Sequence, residues 1–308
     1  MSSFLLTKPN QKYEVRKLFG YDDVQKLEQD LSAFEEWIKK QNHFVVRKFD
    51  REYLEKYLIS SKGSLERAKK KLDKLCTLRI LMPEFLQNFD IKNEFNDLLS
   101  CLHISGVRNP MDSYYRLVVC TIIKDADLEK MSMLQFYRYL FVLIDYMMAN
   151  DYNAGCEFIF DTKNFSVGMI QKLNPIIVQK ASMLIMEAYG IRLKAVHFIS
   201  GSRVFETIIS ILKQGFSEKL SKRVQVHNSY ESLYKTIPRE ILPSDFGGDD
   251  WSIEALSAKT FSAVSEKSHI DTIKLMEQAT TDETCRLSSK FNEEYSGMPG
   301  SFKKLCVD

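Results

Sequence analysis

Glycine and proline are scarce in this chain, at 12 and 7 of 308 residues. That scarcity excludes collagen-like and low-complexity architectures and leaves few turn formers, so the weight falls on helix. Long apolar runs are also missing. The nearest approach, "YLFVLIDYMMA", is short and broken by Asp145, well under the ~18 residues of a membrane span. The opening "MSSFLLTKPNQKYEVRKLFG" has no basic region followed by an apolar run, so no signal peptide is expected. Neither charge sign dominates: 43 basic and 41 acidic residues give a net +2. That balance argues against nucleic acid as a partner and leaves room only for a local basic patch. The six cysteines (Cys76, Cys101, Cys120, Cys156, Cys285, Cys306) include no C-x-x-C pair and read as reduced thiols of a cytoplasmic protein.

Catalytic signatures are equally sparse. There is no G-x-S-x-G elbow, no Walker-type loop and no G-x-G-x-x-G after a strand. The five histidines are dispersed and form no metal-ligating cluster. His197 lies within an apolar strand and reads as a hydrogen-bonded core histidine. Asp161 ends a strand at the carboxyl edge, where α/β enzymes keep catalytic acids, but standing alone it reads as a cap. No nucleophile–base pair emerges, so neither enzymatic activity nor a cofactor nor a metal is expected.

What is present is order along the chain. Val24, Leu27, Leu31, Phe34 and Ile38 recur at helical spacing after Asp22 and Asp23. A second helix covers about 51–59, and a third follows Ser64 with Leu65, Ala68, Leu72 and Leu75 on one side. Past "RNP" (108–110) the pattern alternates. Strands are expected at 116–123, 155–161, 191–199 and 223–227, with helices at 131–150, after Asn174-Pro175 and at 203–215. Alternation of this kind implies βαβ units and a parallel sheet, hence an α/β fold behind a small all-α domain. The boundaries expected are 1–100, 101–250 and 251–308, the last with one helix near 252–275 and a loosely packed polar end. The helices at 131–150 and 203–215 are apolar on most sides. A solid core and a hollow one that accepts a greasy ligand fit that pattern equally.

Specific residues narrow the choice. The run "YGIRLKAVHFISGSRVFETIISILKQGFSEKLSKRVQVHNSYESLYKTIPREILPSDFGG" (189–248) resembles the C-terminal half of a CRAL-TRIO domain, the lipid-binding domain of the tocopherol transfer, retinaldehyde-binding and Sec14-type proteins. "GCEFIFDTKNFS" is similar to that family's central strand, and "FDREYLEKYLISSKGSLERAKKKLDKLCTLRILMPEF" to its preceding helical domain. "GMPGSFKKLCVD" resembles the tails of insect members. The resemblance spans roughly residues 20–250 plus that tail.

It implies a cavity between sheet and a hinged lid helix. The family's cavity positions carry over to Tyr139, Val142, Cys156, Phe158, Phe160, Leu173, Leu184, Ile185 and Val196, with Phe205, Ile208, Ile209 and Leu212 on the lid. A surface patch for phosphoinositide headgroups carries over to Arg192, Lys194, Lys219 and Arg223. This implies a monomeric carrier of a retinoid, tocopherol, carotenoid or other isoprenoid that docks transiently on membranes. A Sec14-type phospholipid exchanger and a scaffold with a filled pocket are the alternatives. The bland reading of the cations is that they solubilise an edge strand and a surface helix. There are two departures. The helical domain has "YLISS" where the family has an arginine-bearing segment, with no cation until Lys62. Gly190 replaces a usual proline, and Ser200-Gly201-Ser202 make a glycine-containing hinge, expected to ease lid opening.

Overall fold

The computed structural model describes residues 4–165, 172, 174–200, 202, 205, 209, 213 and 218–286. Helices α1 (Gln11–Leu18), α2 (Val24–Lys39), α3 (Arg51–Ser60) and α4 (Leu65–Leu81) form the N-terminal region. The last three start at side-chain caps: Asp23 accepts from Gln25 N, Asp50 from Glu52 N and Ser64 from Arg67 N. In α2 the apolar stripe Leu27, Leu31, Phe34 and Ile38 is buried, and Trp37 on its flank meets Phe44 edge-on at 5.6 Å. Two short helices, α5 (Pro83–Leu86) and α6 (Asn96–Cys101), lead into the sheet.

Five strands pair in chain order: β1 (Leu102–Gly106), β2 (Tyr115–Ile122), β3 (Gly155–Asp161), β4 (Leu193–Ile199) and β5 (Val224–His227). The β1–β2 pair is antiparallel and the rest are parallel. β1 is absent from the sequence reading, because "LHISG" is short and has no run of β-branched residues. Register sets side chains in rows across the sheet. Val118, Phe158, Val196 and Val224 form one row; Cys120, Phe160, Phe198 and Val226 form the next. That face looks towards α7 (Met133–Asn150), capped by Ser132. The opposite face carries Ile159 and Ile199 into a second core with Leu233, Ile237 and Phe246.

The C-terminal region departs from expectation. It holds two helices, Ile253–Val264 and Lys267–Glu277, broken at Ser265 and Glu266. The first covers β1, with Ser257 Oγ accepting from Ile104 N (3.2 Å) and Ser105 meeting Thr260 (2.7 Å). Beyond them the chain returns to the helical region: Val45 N donates to Thr280 O (3.0 Å) and Asp282 N to His43 O (2.7 Å). Arg286 then grips Asp73 with two hydrogen bonds, at 2.8 and 2.9 Å. Up to Arg286, therefore, the polar tail is tied down rather than loosely packed.

One buried cation joins these parts. Arg116 on β2 is fully buried. Its Nε and Nη2 hold Asp151 at 2.8 and 2.9 Å, Nη1 donates to Val107 O and Arg108 O, and Nη2 donates to Leu6 O. All five guanidinium donors are used. Asp151 is the C-cap of α7, so this pair fixes the helix end to the sheet. Arg116→Met, which leaves Asp151 buried without its partner, is expected to cost about 3–5 kcal/mol. Urea unfolding measures this, and a loss below about 1 kcal/mol would contradict the role.

Candidate ligand cavity and basic patch

Between α7 and the sheet lies a cavity of about 260 Å³. Its floor is laid by the register rows. Cys120 and Ile122 come from β2, Phe158 and Phe160 from β3, and Leu193, Val196 and Phe198 from β4. One face of α7 forms a wall with Met133, Phe136, Tyr137 and Leu140, spaced as one helical stripe. Helix α8 (Pro175–Met183), started by Asn174 and Pro175, adds Val178 and Ser182. Phe205 and Ile209 close another side.

Aromatic rings dominate the lining. Phe158 stacks with Phe160 at 6.1 Å and Phe160 with Phe198 at 5.3 Å. Phe136 lies 6.3 Å from Phe160, and Phe205 lies 5.9 Å from Phe198. These separations are those of favourable ring pairs. Burial pushes the Cys120 thiol up to about 12, helped by the nearby Asp161 charge, and raises the Tyr137 phenol to about 12 as well. Both stay neutral at physiological pH, so neither supplies a charge or a thiolate nucleophile. Asp161, at the carboxyl end of β3, is already engaged: it accepts from the Tyr230 hydroxyl (2.7 Å) and from Lys163 N (3.0 Å). Among the described residues no cluster of His, Cys, Asp or Glu is placed to hold a metal.

Of the positions read from sequence, Phe158, Phe160, Ile185, Val196, Phe205 and Ile209 line this cavity. Tyr139, Val142 and Leu184 do not; all three are fully buried in the main core. Tyr139 packs edge-on against Phe95 at 5.1 Å. The cause is the phase of α7, which is buried on nearly every side over its middle turns, so apolar periodicity could not select the stripe. Leu184 and Ile185 part because neighbouring helical residues point in different directions about the axis; both lie in a π-helical turn, Leu184–Ala188. Cys156 also leaves the list, because it lines a separate hollow of about 70 Å³ beside the start of β3. Leu173, Ile208 and Leu212 lie outside the described residues, as do the side chain of Lys219 and hinge residue Gly201.

The described patch cations already have internal partners. Arg192 precedes β4 rather than opening it. Its guanidinium sits over the Phe19 ring at 4.3 Å and donates to the Tyr115 hydroxyl at 3.3 Å. Lys194 lies over the same tyrosine at 5.2 Å and pairs with buried Glu157 at 2.8 Å. A register shift makes Lys194 an extra residue between the Leu193 and Ala195 pairings, so the two cations converge on Tyr115 through a bulge, not through strict alternation. Arg223 donates to Leu193 O. β4 is an interior strand, so the edge-strand account of these charges fails.

Glu157 also accepts from His197 (3.1 Å), whose other ring nitrogen meets His227 at 2.9 Å. His197 is the hydrogen-bonded core histidine expected. Burial works to raise the Glu157 carboxyl, but the hydrogen bonds from His197 and Lys194 outweigh it and hold it below the usual range. Lys56 on α3 is a further cation beside this patch. It stands one helical turn before Ser60 and lines the small hollow with Arg192. That i, i+4 relation was legible in "KYLIS". At Gly190, φ is +64° and a Cβ would strike the Lys71 side chain, so proline could not serve there.

Lys194→Ala is expected to lower stability by about 1–2 kcal/mol, the buried-pair penalty reduced because the ammonium is half exposed. Glu157 is stabilised in its ionised form, so the difference from wild type should close as pH falls and Glu157 protonates. Urea unfolding at two pH values checks both, and a change within about 0.5 kcal/mol would make Lys194 an ordinary surface cation.

Comparison with known proteins follows the same division. Residues 103–248 match the CRAL/TRIO domain family, and residues 23–95 match the Pinta-like UBA domain family. The human protein named alpha-tocopherol transfer protein-like is 24% identical over 250 residues, covering 80% of this chain and 71% of that protein. Clavesin-1 of Xenopus laevis is 27% identical over 146 residues, 46% of this chain and 44% of that one. Among solved structures, that of Sfh5 aligns over 89% of this chain and 100% of its own, with 13% identity and a TM-score of 0.45.

Proposed function

We propose that this chain, whose residues 103–248 are a CRAL/TRIO domain, binds one hydrophobic small molecule in the cavity and carries it through the cytoplasm between membranes. The observation that carries the reading is the cavity itself: a largely apolar chamber walled by phenylalanine, methionine and aliphatic side chains, whose one lining carboxylate, Asp161, is already engaged by Tyr230 and Lys163 N. Each 100 Å² of ligand surface enclosed there is worth about 2.5 kcal/mol gross, before the costs of immobilisation. Size favours a single compact lipophile, of retinoid size or smaller among the isoprenoids. About 260 Å³ lies just under the ~300–1,000 Å³ of pockets for drug-sized ligands, too small for a two-chain phospholipid.

Release requires a membrane, because such a ligand does not return readily to water. Arg192, Lys194 and Arg223, with Lys219 and with Lys56 from the helical region, are the cations proposed to meet phosphoinositide headgroups. Each is worth about 1 kcal/mol near an anionic surface. Docking exchanges partners: a phosphate takes Lys194 from Glu157 and Arg192 from the Phe19 ring and the Tyr115 hydroxyl.

Organic extraction and mass spectrometry of protein loaded with cell lipids should return one isoprenoid per chain. Val196→Trp, which fills the floor, should return none while melting as the wild type does. A stoichiometric phospholipid would replace this reading with exchange, and an empty wild-type protein would leave a scaffold. Arg192→Ala should weaken binding to phosphoinositide-containing vesicles about fivefold, and unchanged binding would remove the docking role.

A further inference from the structure

The last helix, Lys267–Glu277, is anchored by little and ties down much. Its end and the segment after it return the chain to the helical region. Glu277 accepts from Phe89 N (3.0 Å), Arg79 Nη1 donates to Ala279 O (3.1 Å), and Thr281 bridges Phe44 in antiparallel pairing before Arg286 reaches Asp73. Yet the helix fully buries only His269 and Ile273, one turn apart. One of its two anchors is therefore a histidine. That ring meets Tyr146 of α7 edge-on at 5.4 Å, and neither of its nitrogens has a hydrogen-bond partner. The buried Ser265 hydroxyl, at the break before the helix, has none either.

Unpaired polar groups of this kind are rare in folded interiors and call for a reason. An apolar ring at position 269 would hold the helix at any pH, whereas an imidazole holds it only while neutral. Charging it in place sets a cation in apolar surroundings with nothing to answer it. Among the described residues no charged side chain acts on the ring. On α7, Asp145 is turned to the Tyr189 hydroxyl (2.9 Å). On the helix Ile253–Val264, Glu254 and Lys259 are exposed, as are Glu266, Lys267, Asp271 and Lys274 around His269 itself. Phe4, from the N-terminal segment, stacks on Tyr146 at 6.1 Å and brings no charge. Burial accordingly lowers the His269 imidazole to about 4, against the pull of the Val142 carbonyl. A histidine so depressed contributes fully above its ordinary value of ~6.5 and loses that contribution as pH falls below it. Asp145, raised by burial to about 6, titrates with the opposite sign, so local opening reads the effect more directly than overall stability does.

We propose that residues 265–286 form a pH-sensitive strap with His269 as its latch. With the imidazole neutral, the helix stays seated on α7 and the strap holds the helical region in place. When the imidazole takes up a proton, the helix leaves α7 and the strap lifts from His43, Val45 and Asp73. The device does not depend on what the cavity holds.

Hydrogen exchange of the full chain, read by mass spectrometry at about pH 7.5 and about pH 5.5 and corrected for the intrinsic pH dependence of exchange, tests it. Opening of 265–286 and of 43–47 should rise about tenfold at the lower pH, the factor that a shift from ~6.5 to about 4 imposes, while strand 115–122 changes less than about twofold. His269→Phe keeps an aromatic ring against Tyr146 and should abolish the rise. His269→Leu provides the same comparison should the phenylalanine variant fail to fold. A rise that persists in both variants, a rise shared equally by 115–122, or no rise in the wild type overturns the latch.

Discussion

Much of the half of the molecule that carries the sheet hangs from a guanidinium that water never reaches. Arg116 has five donors, shared among three obligations: two on the cap of α7, two on the turn after β1 and one on the N-terminal segment at Leu6. A buried arginine left partly unsatisfied would be a liability. Fully satisfied, it behaves as a junction that permits only one arrangement of roof and floor. The cavity follows from that arrangement. With the C-terminal end of α7 pinned to β2, its earlier turns pass over the rows of Phe158, Phe160 and Phe198, and the space between is what the side chains leave unfilled. At the entry to β3, Gly155 lets the strand start close against Arg192 O, where any Cβ would collide.

The α/β layout, the caps at Asp23, Ser64 and Asn174, and the strands β2 to β5 could be read from the chain because each has a local cause. Strand period, N-cap chemistry and proline at a first helical position act within a few residues. What could not be read depends on rotation and register. Tyr137 and Tyr139 are chemically the same residue on the same helix, about 200° apart around its axis, and only tertiary packing decides which meets the void. Cys156 alternates correctly with Phe158 and Phe160 yet falls beyond the end of the cavity, because a strand's period says nothing about where a chamber stops. β1 was invisible for another reason: its pairing with β2 and its cover by Ser257 and Thr260 are long-range, and five residues with one glycine carry no signal alone.

The basic residues present a different case. Sequence placed Arg192, Lys194 and Arg223 as a group, and the structure brings Arg192 and Lys194 together around Tyr115, but it also supplies a private reason for each. Lys194 neutralises Glu157, which in turn orients His197 and through it His227. Arg192 joins the sheet to the helical region by resting on Phe19. A cation with an intramolecular job is not thereby excluded from an intermolecular one. It does mean that any external anion competes with an existing contact, and that changes felt at Tyr115 can be transmitted to the interface between the two regions.

The two tryptophans stand apart from all of this. Trp37 is on α2 beside Phe34 and Phe44, and Trp251 is half exposed with Arg108 stacked on its ring at 4.2 Å. Neither touches the cavity. Intrinsic tryptophan emission therefore watches the helical region and the loop before the helix Ile253–Val264, not the chamber. A spectral change on adding a lipophile would report movement transmitted to those places, while the enclosed chromophores that could sense the cargo at contact range are a phenol and a set of phenylalanines. The molecule carries its optical labels on its frame and leaves its interior dark.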